Sequence, residues 1–390
     1  MPSSPFFVGL DADGAGAHPA AAAVTGLSGA DLVSGARLAR TVRQAENAGL
    51  TFVSFADALL PAVPGSPAAA RLDSVTRAAF VSRTTTAIGL VPQVPTTYPE
   101  PFHVAAQLAS LDIAAAGRGG WVASVTRDAA TADAYGRAVV GDLAREARDV
   151  VQVVRDLWDS WEDDAVVRDV ATGRYIDRDR LHYVDFVGES FSVKGPLITP
   201  RPPQGQLVVL AADGDVAPAV GSPARPGPAE QLVDVTLVGG AGVSTAIGNA
   251  AAARERSPLA GINIEVVLDA GGRTGAERLA ELRASTPAGV RSTWDTRALQ
   301  HVGSAAGLVQ LLTDLATPGP DGHRPVDGVR LLPAVLDVDL PVLARDVLPT
   351  LRAARLVAAP RPGATLRESL GLPRPANRYD VRAPAAAVSV

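Results

Sequence analysis

The repeated alternation of apolar runs with helix-like segments is the feature that most limits the fold of this chain. Eight runs are suited to buried strands, and helical or alanine-rich stretches separate them. Near-continuous apolar runs are typical of parallel strands covered on both faces, and parallel strands need helical crossovers. Eight such units in 390 residues predict an α/β fold, a (β/α)8 TIM barrel, over an open doubly wound sheet. The predicted strands are residues 6–10, 50–57, 85–94, 119–125, 206–212, 233–238, 261–268 and 327–335.

Helical spacing is clearest between the early strands. Leu38, Val42 and Ala45 share one helical side, and Gly49 follows at the position where a helix commonly ends. Pro101 begins another segment, where its missing N–H costs no hydrogen bond. The predicted helices are residues 35–48, 72–83, 101–116 and 142–161.

Three segments depart from this rhythm. Residues 162–205 are charged and rich in turn formers, which predicts an insertion between barrel units. Residues 214–230 carry several Pro and Gly and predict a mobile loop. Residues 360–390 form a C-terminal tail beyond the last unit. No internal repeat divides the chain, so we predict a single barrel domain over residues 1–390.

Composition excludes several classes of function. The chain has no cysteine, so it has no disulfide, thiolate nucleophile or Cys-ligated metal. A net charge of −5 offers no basic field for nucleic acid or anionic lipid. His301 and His323 have no partners at metal-ligand spacing, so no metal site is predicted. The N-terminus lacks a signal pattern and no apolar run is long enough to span a membrane, which predicts a cytoplasmic protein.

The carboxyl ends of barrel strands are where polar side chains are expected to act. Asp57 follows the second strand, and Thr96 and Thr97 follow the third. Asp57 is suited to accept hydrogen bonds from a ligand, but capping the next helix explains it better. The threonine pair is suited to bind a carbonyl or phosphate, but it also fits a hydroxyl-rich turn.

Three further residues are candidates at the same end of the barrel. Tyr98 continues the strand-three loop, His103 lies in the first turn of the following helix, and His18 lies in the first loop. A histidine so placed is able to act as an acid or base, although a capping or surface role is more common. The chain has no P-loop, no GxGxxG opening a helix and no GxSxG elbow. The residues alone therefore predict a barrel with an unassigned pocket.

Several long strings nevertheless resemble one family. The chain resembles the nitrilotriacetate monooxygenase branch of the bacterial-luciferase-like flavin monooxygenases, a branch that includes dibenzothiophene-sulfone and pristinamycin-type enzymes. The strings that carry the resemblance are FADALL (55–60), TTYPEPFHVAAQLASLD (96–112), GRGGW (117–121), VVRDLWDSWEDDA (153–165) and TLRESLGLPRPANRY (365–379). The last of these predicts a rigid, proline-fixed strap packed on the barrel or on a neighbouring subunit.

The resemblance implies a (β/α)8 barrel that uses reduced FMN from a separate flavin reductase to oxygenate an organic substrate. By residue-to-residue match, Asp57, Thr96 and Thr97 border the flavin, while His18, Tyr98 and His103 lie toward the substrate. No residue is assigned as catalytic. Loops rich in alanine, proline and valine favour a small or medium apolar substrate. The family also implies an oligomer, either a homo-oligomer or a heterodimer with a related barrel.

Two departures from the family pattern concern flavin binding. Val122 stands where the family has a flavin-bonding asparagine. The run Ala211–Asp215 replaces a Gln-Ala-Gly and serine pair that binds the phosphate. Asp213 and Asp215 there would repel a phosphate dianion unless they are solvated, and Arg137 or Arg145 are candidate replacements. The chain is therefore predicted to bind FMN weakly, with two alternatives. One is a non-catalytic subunit or binding protein that has lost tight flavin binding, and the weaker one is an F420-dependent oxidoreductase.

Overall fold

Eight parallel strands close into a barrel in the computed structural model, which describes residues 5–60, 70–218, 231–286, 294, 298–320 and 322–379. In chain order the strands are β1 Phe7–Asp11, β2 Phe52–Phe55, β3 Gly89–Pro95, β4 Gly120–Ser124, β5 Val166–Asp169, β6 Arg174–Ile176, β7 Val184–Val187, β8 Ser192–Gly195, β9 Val208–Ala212, β10 Val235–Val238, β11 Leu259–Leu268, β12 Leu299–Gly303 and β13 Gly328–Pro333. The predicted fold class is confirmed, because each predicted strand region supplies one barrel strand, in the order β1-β2-β3-β4-β9-β10-β11-β13.

Helices cover the outside of this barrel, and the four predicted helices are found within two residues of their expected bounds. Gly49 has a φ of 78° after the third helix, as a helix-ending glycine requires. The helices are α1 Ala21–Thr25, α2 Gly29–Leu32, α3 Gly35–Asn47, α4 Ser74–Ser82, α5 Pro101–Ala114, α6 Ala129–Ala134, α7 Leu143–Asp159, α8 Val243–Arg254, α9 Gly275–Ala284, α10 Ala305–Ala316, α11 Leu336–Val342, α12 Leu348–Ala353 and α13 Leu366–Ser369.

The barrel closes where β13 pairs with both β1 and β11. Phe7 is opposite Gly328 in one ladder, and Gly261 is opposite Gly328 in the other. The long β11 also pairs with β12 through its carboxyl half, so β12 is a ninth strand outside the barrel. The sequence did not predict β12.

An apolar layer fills the amino-terminal half of the lumen, and we call it the floor. Phe7 and Phe52 lie at its centre with their ring centroids 6.0 Å apart. Strand glycines make room for them, because a Cβ on Gly9 would come within 2.2 Å of Phe52 and one on Gly328 within 2.3 Å of Phe7. The remaining floor residues are Val91, Val122, Val208, Leu210, Val235, Leu237 and Leu259.

The C-terminal segment closes the barrel from below. Leu366, Leu370 and Leu372 pack into the floor cluster. Leu366 fits against two strands that carry glycine at the contact, since a Cβ on Gly89 or Gly120 would lie 2.7 or 2.9 Å from its methyl groups. The amino-terminal end of the lumen is therefore sealed with apolar side chains.

Beside these leucines lies a buried ionic cluster. The Asp234 carboxylate accepts hydrogen bonds from Arg155 at 2.7 Å, from Arg367 at 3.1 Å through each of two nitrogens, and from the Val209 N–H at 2.8 Å. Arg367 thus forms one ionic tie between the strap, residues 365–379, and the barrel wall.

The strap continues across the insertion. Arg374 forms a two-bonded ion pair with Asp163 at 2.6 and 2.8 Å, and the Asn377 amide donates to the carbonyls of Asp159 and Trp161. Tyr379 stacks on His182 with ring centroids 4.1 Å apart. The predicted packing of the strap on the barrel is confirmed. Residues 162–205, which the sequence predicts to be an insertion, contain two hairpins, β5–β6 and β7–β8.

The predicted loop at 214–230 is described only up to residue 218, and residues 219–230 lie outside the described part of the chain. Within the described residues, no helix connects β9 to β10. An outer groove of about 780 Å³ lies there, bordered by Ala144, Ala211 and Arg256 among others. Among these described segments, no helix combines the length and apolar character required to cross a lipid bilayer.

Candidate active site

The carboxyl-end opening of the barrel, which we call the mouth, is polar where the floor is apolar. Side chains alternate between the two faces of a strand, so the floor residues predict which later positions also face the lumen. Gln93 and Ser124 stand two residues beyond floor positions, Asn263 stands four beyond Leu259, and Arg330 is the partner of Asn263 on β13. All four are partly exposed although they lie within strands. They therefore border open space at the mouth.

A buried carboxyl group lies at the same level. The Ser54 hydroxyl donates to Asp11 Oδ1 at 2.9 Å, and Asp11 is only 8% exposed. Burial raises the pKa of Asp11, which outweighs the lowering effect of Arg330. Burial also lowers the pKa of Arg330, which donates from Nε to Asn263 Oδ1 at 2.9 Å. Asp11 and Arg330 thus interact electrostatically without a direct ion pair.

The loop beyond β1 is fixed by a second carboxylate. Asp13 pairs with Arg77 of α4 at 2.5 Å and with Arg71 at 2.9 Å. Arg77 also donates to the Ala56 carbonyl and lies 5.7 Å from the Phe55 ring. These contacts hold the first two strand-end loops together beside the mouth.

Asp57 lies at the end of β2, as predicted, and bonds to backbone. One carboxylate oxygen accepts from the Ser74 N–H at the start of α4, and the other accepts from the Ala58 N–H, both at 2.8 Å. The N-cap of α4 is Asp73 rather than Asp57, and Asp57 instead binds the N–H of the first residue of that helix. The proposed flavin contact stays a prediction.

Thr96 and Thr97 are buried and join the third strand end to the fourth. The Thr96 hydroxyl donates to the Ser124 carbonyl at 3.0 Å, and the Thr97 hydroxyl accepts from the Thr126 N–H at 3.2 Å. Both hydroxyls therefore shape the wall of the mouth. Their contact with a flavin also stays a prediction.

Tyr98 adopts a strained backbone conformation at this wall. Its φ is 77°, which is rare for a residue with a side chain. Its ring stacks on Tyr135 with centroids 5.7 Å apart, and its carbonyl accepts from Arg137 at 3.3 Å. Such strain persists only where the surroundings enforce it and is frequent at functional sites.

The two predicted histidines occupy different environments. His103 lies in the first turn of α5 with an exposed side chain. His18 is buried; its Nδ1 accepts from the Ala20 N–H at 3.2 Å, and its ring meets Trp294 edge to face at 5.1 Å. A role for either in substrate binding stays a prediction. Across the described residues, no group of three or more His, Asp and Glu side chains is arranged to hold a metal ion.

The two aspartates of the predicted phosphate turn are paired. Asp215 binds Arg127 at 2.5 Å, and Asp213 binds Arg256 at 2.6 Å. Asp213 follows Val209 and Ala211 on the outer side of the strand, so its charge faces the outer groove. Each carboxylate thus has its own cation, and the repulsion predicted for a phosphate is reduced. Val122 is packed in the floor, where it offers no hydrogen bond.

The arginines proposed as replacements for the phosphate site are also engaged. Arg145 pairs with Glu189 of the insertion at 2.6 Å, while Arg137 bonds to the Tyr98 carbonyl. Ala144, in the first turn of α7, borders the outer groove.

Asp11 and Arg330 are among the mouth residues that sequence reasoning missed. Arg330 stands inside a predicted apolar strand, so a search for polar residues after strands passes over it, whereas Asp11 directly follows the predicted first strand and was overlooked. The available signal was the alternation itself, because Asp11 is four residues after Phe7 and Arg330 is two after Gly328, both at lumen-facing positions.

The family is decided by a match that spans over half of the chain. Residues 15–226 match the model of the luciferase-like monooxygenases. The chain belongs to this family. The resemblance to the nitrilotriacetate monooxygenase branch is confirmed as well, because proteins of that branch are among its relatives.

Two relatives and one solved structure illustrate the match. N-acetyl-S-(2-succino)cysteine monooxygenase of Bacillus subtilis (strain 168) is 37% identical over 174 residues, 44% of this chain and 40% of the relative. Nitrilotriacetate monooxygenase component A of Aminobacter aminovorans is 40% identical over 159 residues, 40% of this chain and 34% of the relative. The alignments thus span less than half of either relative. EDTA monooxygenase from Chelativorans sp. BNC1 shares the fold, with a TM-score of 0.74, 19% identity, and coverage of 95% of this chain and 99% of that chain.

Proposed function

We propose that this luciferase-like protein is a monooxygenase that uses reduced FMN, supplied by a separate flavin reductase, to oxygenate an organic substrate. The observation that carries the proposal is the polar mouth above a sealed apolar floor. Gln93, Ser124 and Arg330 border open space at the end of the barrel where such enzymes place their chemistry. The predicted small or medium apolar substrate remains part of this proposal.

The residues present fit the isoalloxazine ring of FMN better than its phosphate group. At the mouth, partly exposed amide, hydroxyl and guanidinium groups are suited to the polar edge of an isoalloxazine ring, and the floor gives it an apolar base. At the turn after β9, the described residues offer the Arg127–Asp215 ion pair in place of a hydroxyl pair. The ring site therefore fits, and the phosphate site is weak, which agrees with a flavin that arrives reduced and leaves after turnover.

The chain's own residues would bind, orient and shield the cofactor. A bound reduced flavin supplies the electrons that activate molecular oxygen. Thr96 and Thr97 hold the third and fourth strand ends together, so the wall of the mouth keeps its shape. The strap leucines close the lumen from below, which leaves the mouth as the opening toward water.

A non-catalytic subunit or binding protein is the second candidate, and one observation favours it. Val122 takes the place of a flavin-bonding asparagine and is only 5% exposed within the floor. Asp57, Thr96 and Thr97 bond to backbone as well. A barrel that had lost flavin binding would have such apolar or backbone-bonded side chains where the family binds the flavin ring. It would require an intact partner barrel for activity.

Anaerobic calorimetric titration with reduced FMN separates the two candidates. We expect saturable binding with one flavin per chain in the micromolar range. Oxygen and a reductase that recycles the flavin are then added, and oxygen consumption should depend on the flavin. When a substrate is present, part of the oxygen consumed should appear in oxygenated product.

A bulky side chain in the mouth provides the matched control. Ser124→Phe should abolish flavin binding because it fills the mouth, whereas Ala251→Phe, on the exposed face of α8, should bind like the native protein. Absence of saturable binding by the native chain would reject the enzyme proposal. Equal binding by both variants would place the flavin elsewhere.

A further inference from the structure

Asp11 and Arg330 stand diagonally across two neighbouring strands of the barrel. Gly9 of β1 is paired with Arg330 of β13, and Asp11 is two residues beyond Gly9 on the same face. Diagonal neighbours on one face of a sheet are within reach of long side chains. A carboxyl group and a guanidinium group are thus brought side by side at the mouth.

Each of these two charged groups has hydrogen-bond partners for only some of its polar atoms. Ser54 donates to Asp11 Oδ1, and Arg330 uses Nε to bond Asn263. Within the described part of the chain, no residue bonds Asp11 Oδ2 or the two Nη atoms of Arg330. These atoms are nevertheless not sealed from solvent, because none is among the buried polar atoms that lack a partner. The remaining donors and acceptor therefore reach the open space of the mouth.

This arrangement differs from an ordinary structural ion pair. Incompletely paired charges in a barrel lumen are costly, and a structural pair would bond directly. Below them lies the aromatic floor, which offers neither group a partner. Burial raises the pKa of Asp11 and lowers that of Arg330, as expected for groups that lack full compensation.

We propose that Asp11 and Arg330 form a recognition pair for a planar amide-type edge, in which a C=O group stands next to an N–H group. The two Nη atoms of Arg330 donate to the carbonyl oxygen, and Asp11 Oδ2 accepts from the N–H. Lactams, ureides and cyclic imides carry such an edge. The ligand is thereby a largely apolar molecule with one polar edge.

A neutral edge suits this pair better than an anion does. A carboxylate ligand on Arg330 would also approach Asp11, and Glu265 lies further along the neighbouring β11. Glu265 is engaged by Gln300 at 2.7 Å and keeps its place in the wall. An edge that offers both a donor and an acceptor satisfies Asp11 and Arg330 at once without adding negative charge.

The inference deepens the proposed function and rests on it only for the identity of the ligand. Two ligands of this mouth could carry the same chemistry, namely the pyrimidine edge of the flavin ring and a substrate with an amide-type edge. The experiment therefore uses one probe of each kind. Neither probe has a phosphate, so the weak phosphate site does not enter the result.

The probes are lumiflavin and glutarimide, each compared with its N-methyl imide derivative. Methylation removes the N–H and leaves the carbonyl groups in place. Binding to the native full chain is measured by fluorescence titration for the flavins and by ligand-observed NMR for the imides. We expect methylation to weaken at least one of the two probes about tenfold or more, as the loss of a hydrogen bond to a charged group requires.

Variants then assign the effect to the pair. Asp11→Asn should abolish the discrimination against the methylated probe, and Arg330→Gln should weaken the parent probe about tenfold. Arg345→Gln and Asp314→Asn are the matched controls, because Arg345 is 74% exposed beside Asp346 and Asp314 is exposed on α10. Thermal melting of each variant checks its folding, and the comparison on the native chain needs no variant.

The outcomes separate the two sources and the two proposals. Discrimination with lumiflavin alone assigns the pair to the flavin edge, and discrimination with glutarimide alone assigns it to the substrate. The inference is overturned if neither methylation of the probe nor Arg330→Gln changes the binding affinity. It is also overturned if both probes fail to bind. Glutarimide discrimination in a chain that fails to bind reduced FMN would sink the oxygenase proposal and leave this inference standing.

Discussion

The two ends of the barrel differ in how completely a buried carboxylate is paired with positive charge and hydrogen-bond donors. At the amino-terminal end, Asp234 is bonded by Arg155, by Arg367 and by a backbone N–H. At the mouth, Asp11 accepts one hydrogen bond from the Ser54 hydroxyl and interacts electrostatically with Arg330 without a direct bond. Both carboxylates are similarly buried, at 7% and 8% exposure. The difference lies in the partners that surround them.

The direction of the pKa shifts shows what this difference means. Burial raises the pKa of both carboxyls, but Arg155 and Arg367 reverse the shift at Asp234, which ends below its usual value. At Asp11 burial prevails, and the pKa stays raised. Complete pairing stabilises one end, while incomplete pairing leaves hydrogen-bonding capacity for a ligand at the other. Stability and recognition are thus separated along the barrel axis.

The largest effect is expected from breaking the paired end. Asp234→Ala would leave Arg155 and Arg367 buried without their carboxylate, which typically costs about 3–5 kcal/mol of folding free energy. Chemical denaturation should show this loss, and Asp314→Ala on exposed α10 should stay within about 0.5 kcal/mol of the native protein. A small loss for Asp234→Ala would mean that the ionic cluster does not hold the strap.

A pH-dependent effect is expected at the same end from Asp112. This residue of α5 is fully buried and accepts from the Gly119 N–H at 3.0 Å and the Gln204 amide at 2.7 Å. Burial raises its pKa to about 7. The folded state therefore holds this proton more tightly than the unfolded state. Its contribution to stability is fully present below the unfolded pKa and is lost as the pH rises through about 7.

The Asp112→Asn variant isolates this contribution. From pH 5 to pH 8 the native protein should lose roughly 2–3 kcal/mol relative to the variant, because each unit of pKa shift corresponds to about 1.4 kcal/mol. Denaturation curves at both pH values give the difference. Parallel pH profiles for the two proteins would show that Asp112 is ionised in the folded state throughout.

A smaller effect is expected at the turn after β9, where the phosphate of FMN is predicted to lie. Asp215→Ser would free Arg127 to meet a phosphate, and FMN affinity should rise by about 1 kcal/mol, or roughly fivefold. Riboflavin, which lacks the phosphate, should bind as before. Asp213→Ser is the matched control, since Asp213 faces the outer groove with Arg256. An equal gain for riboflavin would show that Arg127 does not lie at the phosphate end.

The smallest change in stability is expected at the recognition pair. Arg330→Gln removes a partly exposed charge that has only one hydrogen bond, so the free energy of unfolding should change by about 1 kcal/mol or less. The thermal midpoint measures this. A loss as large as that of Asp234→Ala would identify Arg330 as a structural residue and would erase the contrast between the two ends.

Much of the fold was predictable because it is local. Each barrel strand is an apolar run, and Gly49 and Pro101 mark helix ends by their backbone preferences. β12 was missed because residues 299–303 carry a glutamine, a histidine and a glycine, and their pairing depends on the long β11.

The site was only partly predictable because its contacts span the whole chain. Asp57 and Thr96 stand at strand ends as expected, but their bonds to distant backbone groups depend on the closed barrel. Asp11 and Arg330 are more than 300 residues apart in sequence. Their proximity follows from the pairing of the first and last strands, which no local pattern contains.

A crystal structure of the full chain soaked with FMN tests the separation of the two ends most directly. We expect density for the flavin ring at the mouth, above Phe7 and Phe52, with its polar edge toward Asp11 and Arg330. Flavin density in the outer groove beside Arg256, or a mouth that stays free of flavin at saturating concentration, would contradict it.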